Sequence, residues 1–190
     1  MRPEKTEAIT AAFFNELADS GYERLTMDRV AARAGVGKAA LYRRWPSKQQ
    51  MLVELVDQFA SAAALPPDTG TLRGDLLAIA EEATTVLANP LVRRVIRALI
   101  AEAQHSPELA TVLSERFIVP RRRAGERMIA RAVQRGEISP DPDLVIAMDS
   151  FGGPLYFRAV ILGEKFPPDY PQRLTDAALR ALDATTTPRR

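Results

Sequence analysis

Apolar residues along this chain return at intervals of three and four, and no run alternates apolar and polar positions between turn signals, so the pattern predicts helices throughout. Ile9, Ala12, Phe13, Glu16 and Leu17 mark one face of a first helix over about residues 4–19, with Gly21 as its stop. Thr26 is placed to cap a second helix over about 27–34, with Val30, Ala31 and Ala34 facing inward and Gly35 ending it. A short third helix follows over about 38–45 and closes at Pro46. Ser47-Lys-Gln-Gln50 then reads as a capping box opening a fourth helix over about 47–63, with Leu52, Leu55, Val56 and Phe59 as its apolar stripe. The segment Leu65-Pro-Pro-Asp-Thr-Gly70 breaks helical structure and is the best domain boundary.

Beyond that break, a fifth helix is expected over about 72–88, and Asn89-Pro90 starts a sixth over about 90–104. Ser106-Pro107 opens a long stretch to Gly136, where Pro120 predicts a kink or break. Asp141-Pro142 starts an eighth helix to about 162, with a second kink expected at Phe151-Gly-Gly-Pro154. A ninth covers about 171–184, before a tail, Thr185–Arg190, expected to fray. Leu76, Leu77, Ile79, Ala80, Val86, Leu87, Val95, Ile96, Leu99 and Ile100 recur at helical spacing as candidate core. The predicted fold is all-α, with residues 1–48 as a three-helix head and 49–190 as a helical body, joined through the fourth helix.

The second and third helices are too short and too close for an ordinary hairpin of long helices. Their junction needs a small residue at the crossing, a turn residue tolerant of positive φ and an apolar anchor in the third helix; Ala31, Gly35 and Leu41 supply these, with Val36 plugging the turn. This is helix-turn-helix spacing, in which the second helix lies in a DNA major groove. At about 100° per residue, Leu41 and Trp45 share the core side, leaving Lys38, Ala39, Tyr42 and Arg43 outward.

Composition narrows the chemistry. The net charge is only +2, yet residues 1–50 carry nine Lys/Arg against six Asp/Glu, while the other 140 carry 17 against 18. A basic head on a near-neutral body suits nucleic acid at one end. With no cysteine and one histidine, His105, neither a thiol nucleophile nor a zinc site is available, and no Gly-x-Ser-x-Gly, P-loop or Gly-x-Gly-x-x-Gly occurs. No catalytic site, metal or cofactor is therefore expected. No apolar run approaches the roughly 18–20 residues of a membrane span and no signal peptide precedes the charged start, so a cytoplasmic protein without membrane contacts is expected.

The run Thr26-Met-Asp-Arg-Val-Ala-Ala-Arg-Ala-Gly-Val-Gly-Lys-Ala-Ala-Leu-Tyr-Arg-Arg-Trp-Pro-Ser-Lys48, preceded by Phe13-Phe14 and Gly21-Tyr22-Glu23, closely resembles the DNA-binding signature of tetracycline-repressor-like (TetR) regulators. Arg121-Arg-Arg, Arg135-Gly-Glu137 and Gly153-Pro-Leu-Tyr156 look like one class of that family's C-terminal domain. The resemblance implies a repressor that binds palindromic operator DNA as a homodimer and is released by a small-molecule effector. By position it assigns Tyr42 and Lys48 to phosphates, with Thr26 doing the same and Lys38 opening the recognition helix. Gly37 and Ala40 stand where the family commonly has a hydroxyl residue, and Arg44 where it commonly has histidine, so Arg44 adds a possible phosphate contact. Base reading then falls to Lys38, Arg43, Tyr42 and a methyl contact from Ala39.

Candidate effector contacts in the body are Leu99, Phe117, Met128, Phe151 and Phe157, with polar orientation from Gln104, His105 or Asp149. Such a lining fits a hydrophobic or amphipathic effector. Apolar excess on the last two long helices predicts the dimer interface at Leu155, Val160 and Leu162 on one and Leu174, Ala178 and Leu182 on the other. Gly152 and Gly153 are placed to let helices approach there, and Arg121-Arg-Arg123 reads as a solvated face. The rival reading, an architectural DNA-binding protein without an effector, leaves a body of about 120 residues with little to do.

Overall fold

A computed structural model describes residues 3–62 and 66–185, with side chains over 5–57 and 66–182. Ten α-helices succeed one another: α1 (Pro3–Arg24), α2 (Met27–Ala34), α3 (Lys38–Arg44), α4 (Lys48–Ala62), α5 (Leu72–Ala88), α6 (Pro90–Ala103), α7 (Pro107–Leu113), α8 (Val119–Gln134), α9 (Leu144–Tyr156) and α10 (Tyr170–Thr185). Two five-residue π turns, Ser114–Ile118 and Phe157–Ile161, follow α7 and α9, and no strand occurs among the described residues. The all-α expectation is met.

Local chemistry sets most of the boundaries. The Thr26, Ser47, Thr71, Asn89 and Ser106 side-chain oxygens each accept a backbone N–H of the helix they precede. Gly21 (φ 77°, ψ 166°) is non-helical and kinks α1 at the expected stop, beyond which only a short helical stretch continues to Arg24. Gly35 (φ 64°, ψ 33°) ends α2 with Gly35 N–H bonding to Ala32 O and Val36 N–H to Ala31 O, a paired closure that glycine enters without strain.

Three expectations are corrected. The eighth predicted helix is capped by Asp143, whose carboxylate accepts Ile146 N–H at 3.1 Å, and not by Asp141. Pro120 does not break its helix: α7, the π turn and α8 run on without a gap. The wider turn just before Pro120 accommodates a residue that has no N–H and whose ring crowds the carbonyl four positions back. The helix is likewise unbroken at Phe151-Gly-Gly-Pro154, and the irregularity comes later, in Phe157–Ile161. The boundary residue Leu65, the Phe59 side chain and the tail beyond Thr185 lie outside the described residues.

The chain divides into two compact units. The first holds residues 1–62 and 94–119, so α1–α4 share it with the later part of α6, α7 and the first π turn. Its core contains Ile9, Phe13, Leu17, Leu25, Val30, Leu41, Trp45, Met51, Leu52 and Leu55. The second holds residues 63–93 and 120–190. There Leu72, Leu76, Met128, Ile129, Ala132, Ala147, Ala178 and Leu182 form one cluster, with Ile79, Ile138, Phe151 and Leu179 packed against it. Of the expected core, Leu76, Ala80, Leu87 and Val95 are buried, whereas Val86 and Ile100 are exposed. The glycine at a close helix crossing is Gly125, where an added Cβ would meet the Met148 side chain; Gly152 and Gly153 face open space within the chain.

Candidate nucleic-acid interface

Helix α3 stands over a sealed floor. Leu41 and Trp45 are 0% and 1% exposed, while Lys38, Ala39, Tyr42 and Arg43 are all exposed, the division that the helical period predicts. Trp45 Nε1 donates to Glu54 Oε2 at 2.8 Å, and the Arg44 guanidinium lies 4.4 Å from the indole centroid. The α3 helix is thereby fixed to α4. Gly37 is its N-cap, in extended backbone (φ −67°, ψ 134°) with open space at the Cβ position, so nothing bars a hydroxyl residue there.

The cations around α3 are not equally free. Arg29 and Arg33 reach back to the buried Glu16 carboxylate at 2.6 and 3.4 Å. Arg44 donates to Thr6 Oγ1 and Glu54 Oε1, so it is committed toward α1 and α4. Lys48 is half-buried, giving hydrogen bonds to the carbonyls of Tyr22 (2.7 Å) and Glu23 (2.9 Å) with its ammonium over the Tyr22 ring. One of its three donors is left for a phosphate. Lys38 Nζ lies 2.5 Å from Asp28 Oδ2, and Tyr42 OH donates to Asp28 Oδ1 at 3.3 Å. Arg43 has no hydrogen bond or ion pair among the described residues. Thr26 Oγ1 accepts Arg29 N–H, which leaves its hydroxyl proton available.

These pairs set an acid limit. The Arg33 hydrogen bond, with that of Arg94, holds the Asp19 carboxyl below its ordinary 3.8, and the Lys38 bond does the same for Asp28. A carboxyl lowered on folding adds stability above its unfolded value and loses it as pH falls through the folded one. The Asp19 and Asp28 side-chain carboxyls, followed by NMR, should therefore titrate below the ordinary aspartate range; titration of either within or above that range would contradict its pairing.

The other expected site residues are spread over both units. Leu99, Gln104, His105 and Phe117 belong to the first, Met128, Asp149, Phe151 and Phe157 to the second. Met128 and Phe151 are part of the core cluster, Phe157 is 57% exposed, and exposed Asp149 lies 3.8 Å from Arg122. A cavity of about 200 Å³ in the first unit is lined by Tyr22, Leu52, Val53, Leu109 and Val112 among others, and by none of those candidates. Arg122 and Arg123 are solvated as expected; Arg121 is half-buried, its burial lowering its own pKa and that of nearby Tyr156 being raised by burial.

Most of the dimer candidates are covered by the chain itself. Leu155, Val160, Leu174, Ala178 and Leu182 are buried within the single chain, leaving only Leu162 on its surface. What α9 and its π turn expose instead is Leu144, Val145, Ile146, Tyr156, Phe157 and Ile161. The sequence showed both sets as apolar but not which set the chain itself covers. The span Leu144–Ile161 also reaches 18 residues at mean hydropathy 1.3, long and apolar enough to cross a membrane by length and composition, contrary to the expectation of no such run.

An eight-residue helix, a glycine turn and a capped basic helix presented over a Leu–Trp floor define a helix-turn-helix protein. Residues 9–55 match the model for bacterial regulatory proteins of the tetR family, and residues 66–178 match the tetracyclin repressor-like C-terminal domain. An uncharacterized HTH-type transcriptional regulator of Mycobacterium tuberculosis is 36% identical over 174 residues, covering 92% of this chain and 85% of that protein. A protein of Mycobacteroides abscessus named a DNA-binding transcriptional repressor is 30% identical over 182 residues, covering 94% and 93%. The crystal structure of the TetR family transcription regulator SCO0332 superposes with a TM-score of 0.68 at 30% identity, covering 94% of this chain and 98% of that one. The chain belongs to the TetR family of helix-turn-helix, DNA-binding transcriptional regulators.

Proposed function

We propose that this regulator is a cytoplasmic repressor whose two copies lay their α3 helices in successive major grooves of a palindromic operator. The observation that carries this reading is the outward face of α3: Lys38, Ala39, Tyr42 and Arg43 exposed over buried Leu41 and Trp45. Gly37 lets the backbone come close at the start of α3, and Thr26 and Lys48 flank the face with donors. The repressor named among the relatives supports the sign of regulation. In vitro transcription from a promoter overlapping the selected operator tests it: added protein should lower the transcript, and a rise would make it an activator.

Dimerisation is inferred from the apolar side chains left uncovered on α9 and just after it. Val145 near the start of α9, and Phe157, Ile161 and Leu162 beyond its end, are 60%, 57%, 68% and 51% exposed, and a partner that covers such side chains removes them from water. A second copy covers them in this reading, which accounts for their hydropathy without a membrane. Ile161→Glu should shift sedimentation toward monomer at micromolar concentration and weaken operator binding in parallel. An unchanged dimer would place the interface elsewhere.

A hydrophobic or amphipathic effector bound in the helical body completes the proposal. The effector acts by changing the spacing of the two heads, which must stay about 34–36 Å apart to engage one face of the duplex. Effector and operator must then weaken each other by the same factor, typically 1–3 kcal/mol.

A further inference from the structure

Between Thr26 and Arg44 the chain carries five Lys/Arg and a single acid, Asp28. Three of the five, Arg29, Arg33 and Arg44, are paired with Glu16, Asp19 and Glu54, none of which belongs to α2 or α3. Asp28 differs. It sits in the first turn of α2, half-exposed, and its two oxygens take two of the α3 side chains suited to phosphate or base: Lys38 Nζ at 2.5 Å and Tyr42 OH at 3.3 Å. Lys38 is itself largely exposed and has no other partner among the described residues, so its charge in the free protein is spent against Asp28.

Resting on the reading of α3 as the DNA face, we propose that Asp28 is a specificity-determining residue, an internal stand-in for phosphate that withholds Lys38 and Tyr42 from non-specific DNA. A carboxylate amid phosphate-binding groups is costly wherever a duplex phosphate comes near, because like charges at about 4 Å repel even in water. Non-specific binding is almost wholly electrostatic, so it bears this cost in full. A correct operator supplies base-edge acceptors for Lys38 and Arg43 that offset it. Asp28 also fixes both side chains in place before DNA arrives, since each is held by one oxygen of a carboxylate on a capped helix. The lowered Asp28 and raised Lys38 pKa values are consistent with a pair that persists at neutral pH.

Asp28→Asn tests this, because asparagine keeps an oxygen for Tyr42 and removes only the charge. An operator is first selected from random duplexes with the wild-type protein; failure to select one would count against the DNA reading itself, separately from Asp28. Affinity for that operator and for random duplex of equal length is then measured across a salt series. Asp28→Asn should raise random-duplex affinity about tenfold, raise operator affinity less, and steepen the random-duplex salt slope by about one unit. Asp28→Asn combined with Lys38→Ala should lose most of that gain, and circular dichroism reports that each variant is folded. Equal gains on both duplexes, no gain, or the same gain without Lys38 would overturn the assignment.

Discussion

Replacing Trp45 by alanine is expected to cost about 3–5 kcal/mol, the usual scale for emptying a large aromatic from a packed core, and to abolish DNA binding with it. Trp45 is the only tryptophan and closes α3 at 1% exposure, with Glu54 bonded to its ring nitrogen and Arg44 across its face. Trp45→Phe is the milder change: it keeps an aromatic ring but gives up part of the indole volume and the bond to the partly exposed Glu54, for about 1–2 kcal/mol. Urea unfolding followed by circular dichroism measures both, since the variants lack the fluorophore. A loss under 1 kcal/mol for alanine would mean that the floor beneath α3 is not where the structure places it.

The second large effect is expected far from the DNA face. Asp75 in the first turn of α5 is fully buried and accepts Thr69 N–H at 2.7 Å and Thr69 Oγ1 at 2.8 Å. Its other oxygen faces Arg131 Nη2 at 3.4 Å, and the same guanidinium donates to Pro67 O at 2.5 Å. One buried carboxylate thus ties residues 67–75 to α8. Asp75→Ala leaves the Thr69 N–H and the half-buried Arg131 guanidinium without their buried partner, a loss of about 3 kcal/mol. For a chain of this size that lowers Tm by roughly 6–12 °C. A double-mutant cycle with Arg131→Ala should show coupling above about 0.5 kcal/mol, and simple additivity would show that the pair does not interact.

Which features were legible in the sequence follows from how far their causes extend along it. Caps act over three residues, so Thr26, Ser47, Asn89 and Ser106 could each be read from their neighbours. The helix-turn-helix was legible for the same reason: Ala31, Gly35, Leu41 and Trp45 lie within one short segment whose period decides what is buried. Asp75 meets Arg131 across 56 positions, and Asp28 meets Lys38 across ten, so neither pairing leaves a periodic trace. Lys48 shows the limit from the other side. Its position matches a phosphate contact, but only the fold reveals that two of its donors serve the carbonyls ending α1. Periodicity likewise identified α9 and α10 as apolar without saying that α10's Leu174, Ala178 and Leu182 are covered by the chain itself.

The central claim is that α3 reads a two-fold operator, and footprinting on the DNA flanking the protein's own gene tests it most directly. The account predicts protection of two half-sites with centres about one helical turn, or a multiple of one, apart at moderate salt. Arg43→Ala should relax the preference at one base step in each half-site, by about 1–3 kcal/mol, while leaving protection of the flanking backbone in place. Uniform protection along the whole fragment, or protection at two half-sites that Arg43→Ala leaves unchanged in sequence preference, would contradict it.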